Sequence, residues 1–232
     1  MTDVSRPDLV TQDEPHESTG LIDHRNLLVH AVNWTRGIPV PSVEEFQLYD
    51  PLRAGVSSFD AKYILEIERY RTAFIKQFSF AVPCREVLDA LQSLEPILEV
   101  GAGTGFWTHL MNQRGIDAWS TDVPQMHNEH EQAIGAFGLN EEMDAERAVR
   151  TYPSMNVFIS WPVYWSDWPE RAISAMESDQ YLACIDDGRR GQTGSERFYD
   201  ILDRDFEKLN VLTFGQPSWP RQYDAFHVWR KK

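Results

Sequence analysis

Cysteine is scarce in this chain. Two residues, Cys84 and Cys184, among 232 cannot build a disulfide framework, and they suit a reducing compartment as small buried apolar groups. Long apolar runs are missing as well. No stretch approaches the roughly 18 residues that a membrane-spanning helix requires, and the opening MTDVSRPDLVTQDEPHESTG has no apolar core of the kind a secretory leader carries. Export and membrane spanning are therefore unsupported, and a cytoplasmic location is expected. Positive charge is in deficit: 22 Lys and Arg stand against 36 Asp and Glu, a net charge of −14. Phosphate backbones and anionic lipid are bound by clustered cations, so neither nucleic acid nor a membrane surface is an expected partner. No His/Cys/Asp spacing marks a metal site, and there is no internal repeat or low-complexity tract.

The chain does have apolar content, 42% hydrophobic and 12% aromatic, ample for one large α/β domain with a small appendage. Residues 1–20 are polar, carry Pro7 and Pro15, and read as a disordered or loosely docked tail. Residues 21–94 read as a helical N-terminal extension. Its first helix runs from Leu21 to Trp34 and ends at Gly37 and Pro39. An irregular connection leads to a second helix near Ser57, where Ser57 and Asp60 have the spacing of a capping box. In it Tyr63, Ile67, Tyr70, Phe74 and Phe78 recur at i, i+4, i+7, i+11 and i+15, one aromatic-rich face. Pro83 opens a third helix through Val87, Leu88 and Leu91.

From 95 to 232 short strands alternate with helices. PILEV, IDAWSTDV, NVFIS, YLACID, NVLTFG and DAFHVWR read as strands. Thr104 to Gln113, WPERAISAMES and SERFYDILDRDF read as helices, and 124–152 as an acidic helical or irregular stretch. Such alternation implies right-handed crossovers and a mostly parallel, doubly wound α/β sheet. The last two strands have no helix between them and should form an antiparallel hairpin at the sheet edge.

One loop carries most of the chemical information: Glu99-Val100-Gly101-Ala102-Gly103-Thr104-Gly105-Phe106. It lies where a strand hands over to a helix, the crevice at which doubly wound sheets bind ligands. A dinucleotide fingerprint starting at Gly101 and Gly103 requires glycine at 106. Position 106 is Phe, and the anionic Glu99 stands where a pyrophosphate would be repelled. A ligand with a cationic group and hydroxyls suits the loop better.

The segment resembles the first motif of the class I S-adenosylmethionine-dependent methyltransferase family, an acidic residue followed by G-x-G-x-G, here Glu99, Gly101, Gly103 and Gly105. Asp122, in STDV at the end of the next strand, matches the acidic residue that hydrogen-bonds the ribose. The resemblance spans about residues 96–230. It implies a Rossmann-like methyltransferase sheet of about six to seven strands, the last antiparallel. It further implies S-adenosylmethionine as cofactor, with Glu99, Gly101, Ala102, Gly103, Gly105 and Asp122 around it. Asp144, in Met143-Asp144-Ala145, is the nearest candidate for an adenine contact, although no clear third strand precedes it and an exposed charge fits equally. The fourth-strand segment Ser160-Trp161-Pro162-Val163-Tyr164-Trp165 faces the methyl donor, with Ser160 against it. Amino-directed members carry Asp or Asn, then Pro-Pro and an aromatic; here Ser160 and Trp161 stand first, and Pro162 and Tyr164 remain.

Aromatic density takes the place of that motif, and a sulfonium is a cation that aromatic faces stabilise. Trp161 and Tyr164 are thus candidate catalytic-site residues, while Trp165 and Trp168 suit the site or the core alike. Asp186, with Asp187 and Gly188, follows YLACI and is a candidate to orient an amine or accept a proton. Gln192, Thr193 and Gly194 form a candidate helix start for an anionic group, and His127 and His130 are possible bases. The expected reaction is displacement at the sulfonium methyl by a small, non-anionic acceptor, with the aromatic helix as a lid or as ordinary core. Alternatives are non-methyl use of the same donor, by cyclisation or aminocarboxypropyl transfer releasing methylthioadenosine, and a non-catalytic methyltransferase-like subunit.

Overall fold

Apolar runs bounded by turns become the strands of one twisted sheet. The computed structural model describes residues 21–46, 61–123, 132–209, 213–220 and 222–232. The tail 1–20, the Ser57–Asp60 box, His127 and His130 lie outside the described residues, as does the side chain of Tyr63. The strands are β1 (Ile97–Val100), β2 (Ala118–Asp122), β3 (Glu141–Glu142), β4 (Asn156–Ser160), β5 (Tyr181–Asp186), β6 (Phe206–Lys208), β7 (Phe214–Gly215) and β8 (Ala225–Lys231). Their order is β3-β2-β1-β4-β5-β8-β6, with β7 also paired to β8. β1 lies parallel to β2 and β4 through Ile97–Ala118 and Ile97–Asn156, whereas β8 runs antiparallel to β5 through Leu182–Trp229. The fold is a doubly wound, Rossmann-like α/β sheet.

Strand alternation divides the interior into two layers. Ile97, Phe158, Ala183, Ile185, Phe226 and Val228 face one core, together with α1 (Leu27–Trp34), α2 (Ala61–Gln77), α3 (Arg85–Gln92) and α4 (Phe106–Gln113). Leu98, Val100, Val157, Ile159, Leu182 and Cys184 face the other, under α5 (Ala145–Thr151), α6 (Trp168–Ser174) and α7 (Glu196–Asp205). Helices from 21–94 therefore share one apolar interior with the sheet. Phe78 packs on Phe106 at 5.0 Å and Phe74 on Trp219 at 5.7 Å between ring centroids. No helix among the described residues is long and apolar enough to cross a membrane.

Three elements differ from the sequence pattern. A third strand does exist: β3 pairs with β2 through Thr121 and Asp122. It is two acidic residues long, so no apolar period reveals it; neighbouring Asn140 anchors it by accepting from the Ser120 N–H at 2.8 Å. At the other end, β7 and β8 do pair antiparallel as expected, but β8 is interior rather than at the edge, because its seven residues pair with β5 on one side and with β6 and β7 on the other. β6 follows α7 directly where Phe206 turns extended. Finally, α1 starts at Leu27 rather than Leu21, since the Asp23 carboxylate accepts from the N–H groups of Arg25 and Asn26 at 2.8 and 3.3 Å and holds that segment in a turn.

Candidate functional site

The chain leaves β1 toward β2 and β3, and leaves β4 toward β5 on the opposite side, so β1 and β4 are neighbours at the reversal of strand order. Ligands bind doubly wound sheets at that point, outside the carboxyl ends of the strands. A cleft opens there, lined by Glu99, Gly101, Ala102, Gly103, Asp122, Met143, Asp144, Ala145 and Ser160, and by Phe80, Trp107, Trp161, Trp165 and Trp168.

The glycine loop is shaped by close approach. Gly101 has φ +65°, and a Cβ there would fall 2.7 Å from the Trp168 ring. Gly105, at φ +80°, is the N-cap of α4, and a Cβ on it would collide with the Gly138 carbonyl oxygen. The Gly103 N–H donates to Asp122 Oδ2 at 2.6 Å, and the Val123 N–H to Asp122 Oδ1 at 2.6 Å. From outside, Gly135 N–H donates to the Gly103 carbonyl and Phe137 N–H to the Thr104 carbonyl, each at 2.9 Å. The Thr104 hydroxyl donates to the Phe78 carbonyl just beyond α2. The loop is thus clamped by β2, by α2 and by the 132–138 segment.

Both acidic residues of the motif sit in this clamp. Glu99 is buried on the α4 side of β1, where its Oε2 accepts from the Thr108 N–H at 2.9 Å and the Thr108 hydroxyl at 2.6 Å, capping the first turn of α4. Burial pushes its carboxyl up to about 8 despite those two hydrogen bonds. Burial also raises Asp122, which the Gly103 and Val123 N–H groups draw back. Both carboxyls favour a positively polarised ligand group, since a nearby cation or hydrogen-bond donor stabilises their charged forms.

At the end of β4, Ser160 lines the cleft, and its buried Oγ has no partner among the described residues. Trp161 adopts φ +64°, a left-handed conformation rare for an aromatic residue. It is held there by its N–H on the Ile185 carbonyl at 2.9 Å, by its Nε1–H on Asp224 Oδ1 at 3.0 Å, and by the Phe80 ring stacked at 5.2 Å. Phe80 thus covers one face of the Trp161 ring. Asp144 lines the far end of the cleft, where it caps α5 by accepting from the Arg147 N–H at 3.2 Å.

Two of the expected site residues lie elsewhere. Tyr164 is 52% exposed, outside the cleft lining, edge-on to Trp165 at 4.9 Å; Trp165 and Trp168 line the cleft instead. Asp186 follows Cys184 on the α7 face of β5. Alternation turns it toward Tyr199 and His227, away from the cleft, and burial pushes it up to about 6. Asp187 accepts from Gln192 N–H, Thr193 N–H and the Thr193 hydroxyl. The proposed anion-binding N–H groups are therefore spent on an internal carboxylate. Cys84 and Cys184 are buried free thiols, and burial pushes Cys84 up to about 12. Phe80, Trp107 and Asp224 were not singled out by motif reading. Trp107 betrayed itself only as part of the apolar face of α4, and Asp224 sits at the end of a turn-rich stretch.

No protein-family model matches the chain, and no curated protein matches it in sequence. Solved structures are similar in fold. One is an O-methyltransferase from Bacillus cereus in complex with SAH, 15% identical, with 79% of this chain and 96% of that one covered and a TM-score of 0.45. Another is TehB from Haemophilus influenzae, at 16% identity, 70% and 67% coverage and a TM-score of 0.42. A third, TrmN from Thermus thermophilus, has 15% identity, 62% and 48% coverage and a TM-score of 0.41.

Proposed function

We propose that this chain is an S-adenosylmethionine-dependent methyltransferase acting on a small, non-anionic acceptor. The observation that carries the reading is the clamped glycine loop at the β1–β4 crevice. Its neighbours are Asp122, bonded to Gly103, Glu99 with a raised carboxyl, and a wall of Trp107, Trp161, Trp165 and Trp168. The residues present fit the donor: the loop leaves no room for a Cβ at Gly101, Ser160 lines the cleft with its hydroxyl unpartnered among the described residues, and two carboxyls suit an ammonium and ribose hydroxyls. When bound, the donor supplies an electrophilic methyl group on a sulfonium.

The work of this chain's residues is then binding, orientation and exclusion of water. Asp122 and the Gly101–Gly105 loop would hold the ribose of the donor, Glu99 its methionine part, and Asp144 with Met143 its adenine. Trp161, Trp165 and Trp168, which line the cleft, would stabilise the donor's cationic centre. An acidic surface with a net charge of −14 favours a neutral or cationic metabolite over nucleic acid. A cytoplasmic setting goes with the reading, and two buried free thiols suit it.

The Ser160-Trp161 start of the fourth segment favours keeping non-methyl use of the donor as a second reading. One experiment separates the cases. The protein is incubated with S-adenosylmethionine, with and without extract, and the nucleosides are resolved by chromatography. S-adenosylhomocysteine formed only with extract supports methyl transfer. Methylthioadenosine formed without an acceptor supports the second reading. No binding of the donor at millimolar concentration would leave a non-catalytic subunit.

A further inference from the structure

Beside the cleft, two polar side chains are buried without the partners that burial demands. Gln216 and Asp224 follow directly on the pairs Phe214–Phe226 and Gly215–Ala225, and the Gln216 N–H donates to the Asp224 carbonyl at 3.2 Å. They are therefore opposite one another on an antiparallel ladder, where side chains share a face. Two-residue alternation from Phe214 and Phe226 turns that face toward the core beneath α2. Asp224 is 3% exposed and Gln216 7%. Asp224 Oδ1 accepts from Trp161 Nε1, but Asp224 Oδ2 and both ends of the Gln216 amide have no partner among the described residues. Buried polar atoms are satisfied in the great majority of cases, and three exceptions on one ladder pair call for a ligand or a role.

The surrounding charge says which ligand. Burial raises the Asp224 carboxyl most, Asp187 and Asp186 add to that, and the Trp161 hydrogen bond and Arg71 of α2 draw it back. Asp187 is already committed to Thr193 and Gln192, and Asp186 accepts from the Gly188 N–H. A hydrogen-bond donor to Asp224 Oδ2 is what this group lacks among the described residues. Trp161 joins it to the cleft, since Trp161 lines the cleft and its Nε1–H donates to Asp224 Oδ1.

We propose that Asp224 and Gln216 form the acceptor subsite, which binds the amino group of a small amine through Asp224 Oδ2 and Gln216 Oε1, with Gln216 Nε2 donating to a second polar atom of the acceptor. The proposal rests on the methyltransferase reading and narrows its substrate class to amines.

The probe is benzylammonium chloride, with benzyl alcohol as the uncharged control, added to the full chain carrying ¹⁵N-labelled tryptophan. The readout is the Trp161 indole N–H resonance, identified by its loss in Trp161→Phe. Saturable movement with benzylammonium, at least tenfold weaker for benzyl alcohol and at least tenfold weaker in Asp224→Asn and Gln216→Leu, is the expected result. Gln216→Leu should also raise the apo melting temperature by removing an unsatisfied amide, which keeps the test alive if Asp224→Asn does not fold. S-adenosylhomocysteine binding is titrated in parallel. A protein that binds S-adenosylhomocysteine but gives no response to the amine, or whose amine binding survives Asp224→Asn undiminished, overturns the subsite. An amine response without S-adenosylhomocysteine binding supports the subsite and overturns the donor assignment instead.

Discussion

Asp122 holds the Gly103 N–H and the Val123 N–H at 2.6 Å each, and each of its oxygens retains a second lone pair for a ligand hydroxyl. Removing it takes away both a brace and a binding group. Hydrogen bonds to a charged partner are worth about 1.5–3 kcal/mol, so Asp122→Ala is expected to weaken S-adenosylhomocysteine binding by roughly 10- to 100-fold in calorimetric titration. Equal affinity of the variant and the wild type would remove the ribose assignment. Gly105 permits a cleaner comparison, because Gly115 has nearly the same φ, +78° against +80°, with nothing within 4 Å of a built Cβ. Gly115→Ala should cost about 1–2 kcal/mol, the strain of a left-handed alanine. Gly105→Ala adds the collision with the Gly138 carbonyl and should cost about 2–5 kcal/mol in urea unfolding. Similar losses for the two would mean that the 132–138 segment yields easily.

At the scale of elements, α2 is tied to the site at both levels of structure. Phe74 and Phe78 are buried against Trp219, Phe106 and Phe137, and the chain just past α2 supplies Phe78, Ser79 and Phe80 to the cleft. Phe74→Ala is expected to lower stability by about 3–5 kcal/mol, read as a shifted urea midpoint with an unchanged slope. That helix was legible because aromatics at helical spacing mark one apolar face, whether it covers a cleft or packs in the core. NVFIS and YLACID were legible as apolar runs between turns, and both coincide with β4 and β5. β3 was not, since two glutamates held by backbone pairing leave no apolar trace. The glycine loop and Asp122 were readable because glycine and acid at a strand end answer to local backbone geometry. Asp186 was expected in the cleft and Asp224 was not singled out, for one shared reason. Their roles depend on which sheet face they occupy, and that is set by counting forward from Cys184 and back from Phe226. The count sends Asp186 to α7 and Asp224 to the Trp161 side.

For the whole molecule, the buried carboxyls predict a pH profile. Glu99, raised to about 8, and Asp224, raised to about 7, bind more protons in the folded state than in the unfolded chain. Stability from these groups therefore falls as pH rises from the ordinary carboxylate range toward 8. His227, lowered to about 4, works the other way, but only below its unfolded value near 6.5. Between pH 6.5 and 8 the carboxyls act without that opposition, so the apo melting temperature should decline across this window. Glu99→Gln should flatten the decline, and a slope identical to wild type would show that Glu99 is not the group responsible. The layer arrangement also has a consequence for where the chain tolerates a cut. Phe106, Trp107, Leu110 and Met111 on α4 lie in one interior with Leu27, Trp34, Phe74 and Leu88. A fragment beginning at residue 95 would carry the whole glycine motif and yet display that greasy wall to water, so it should precipitate or self-associate, and residues 21–46 and 61–94 are inseparable from whatever the cleft binds.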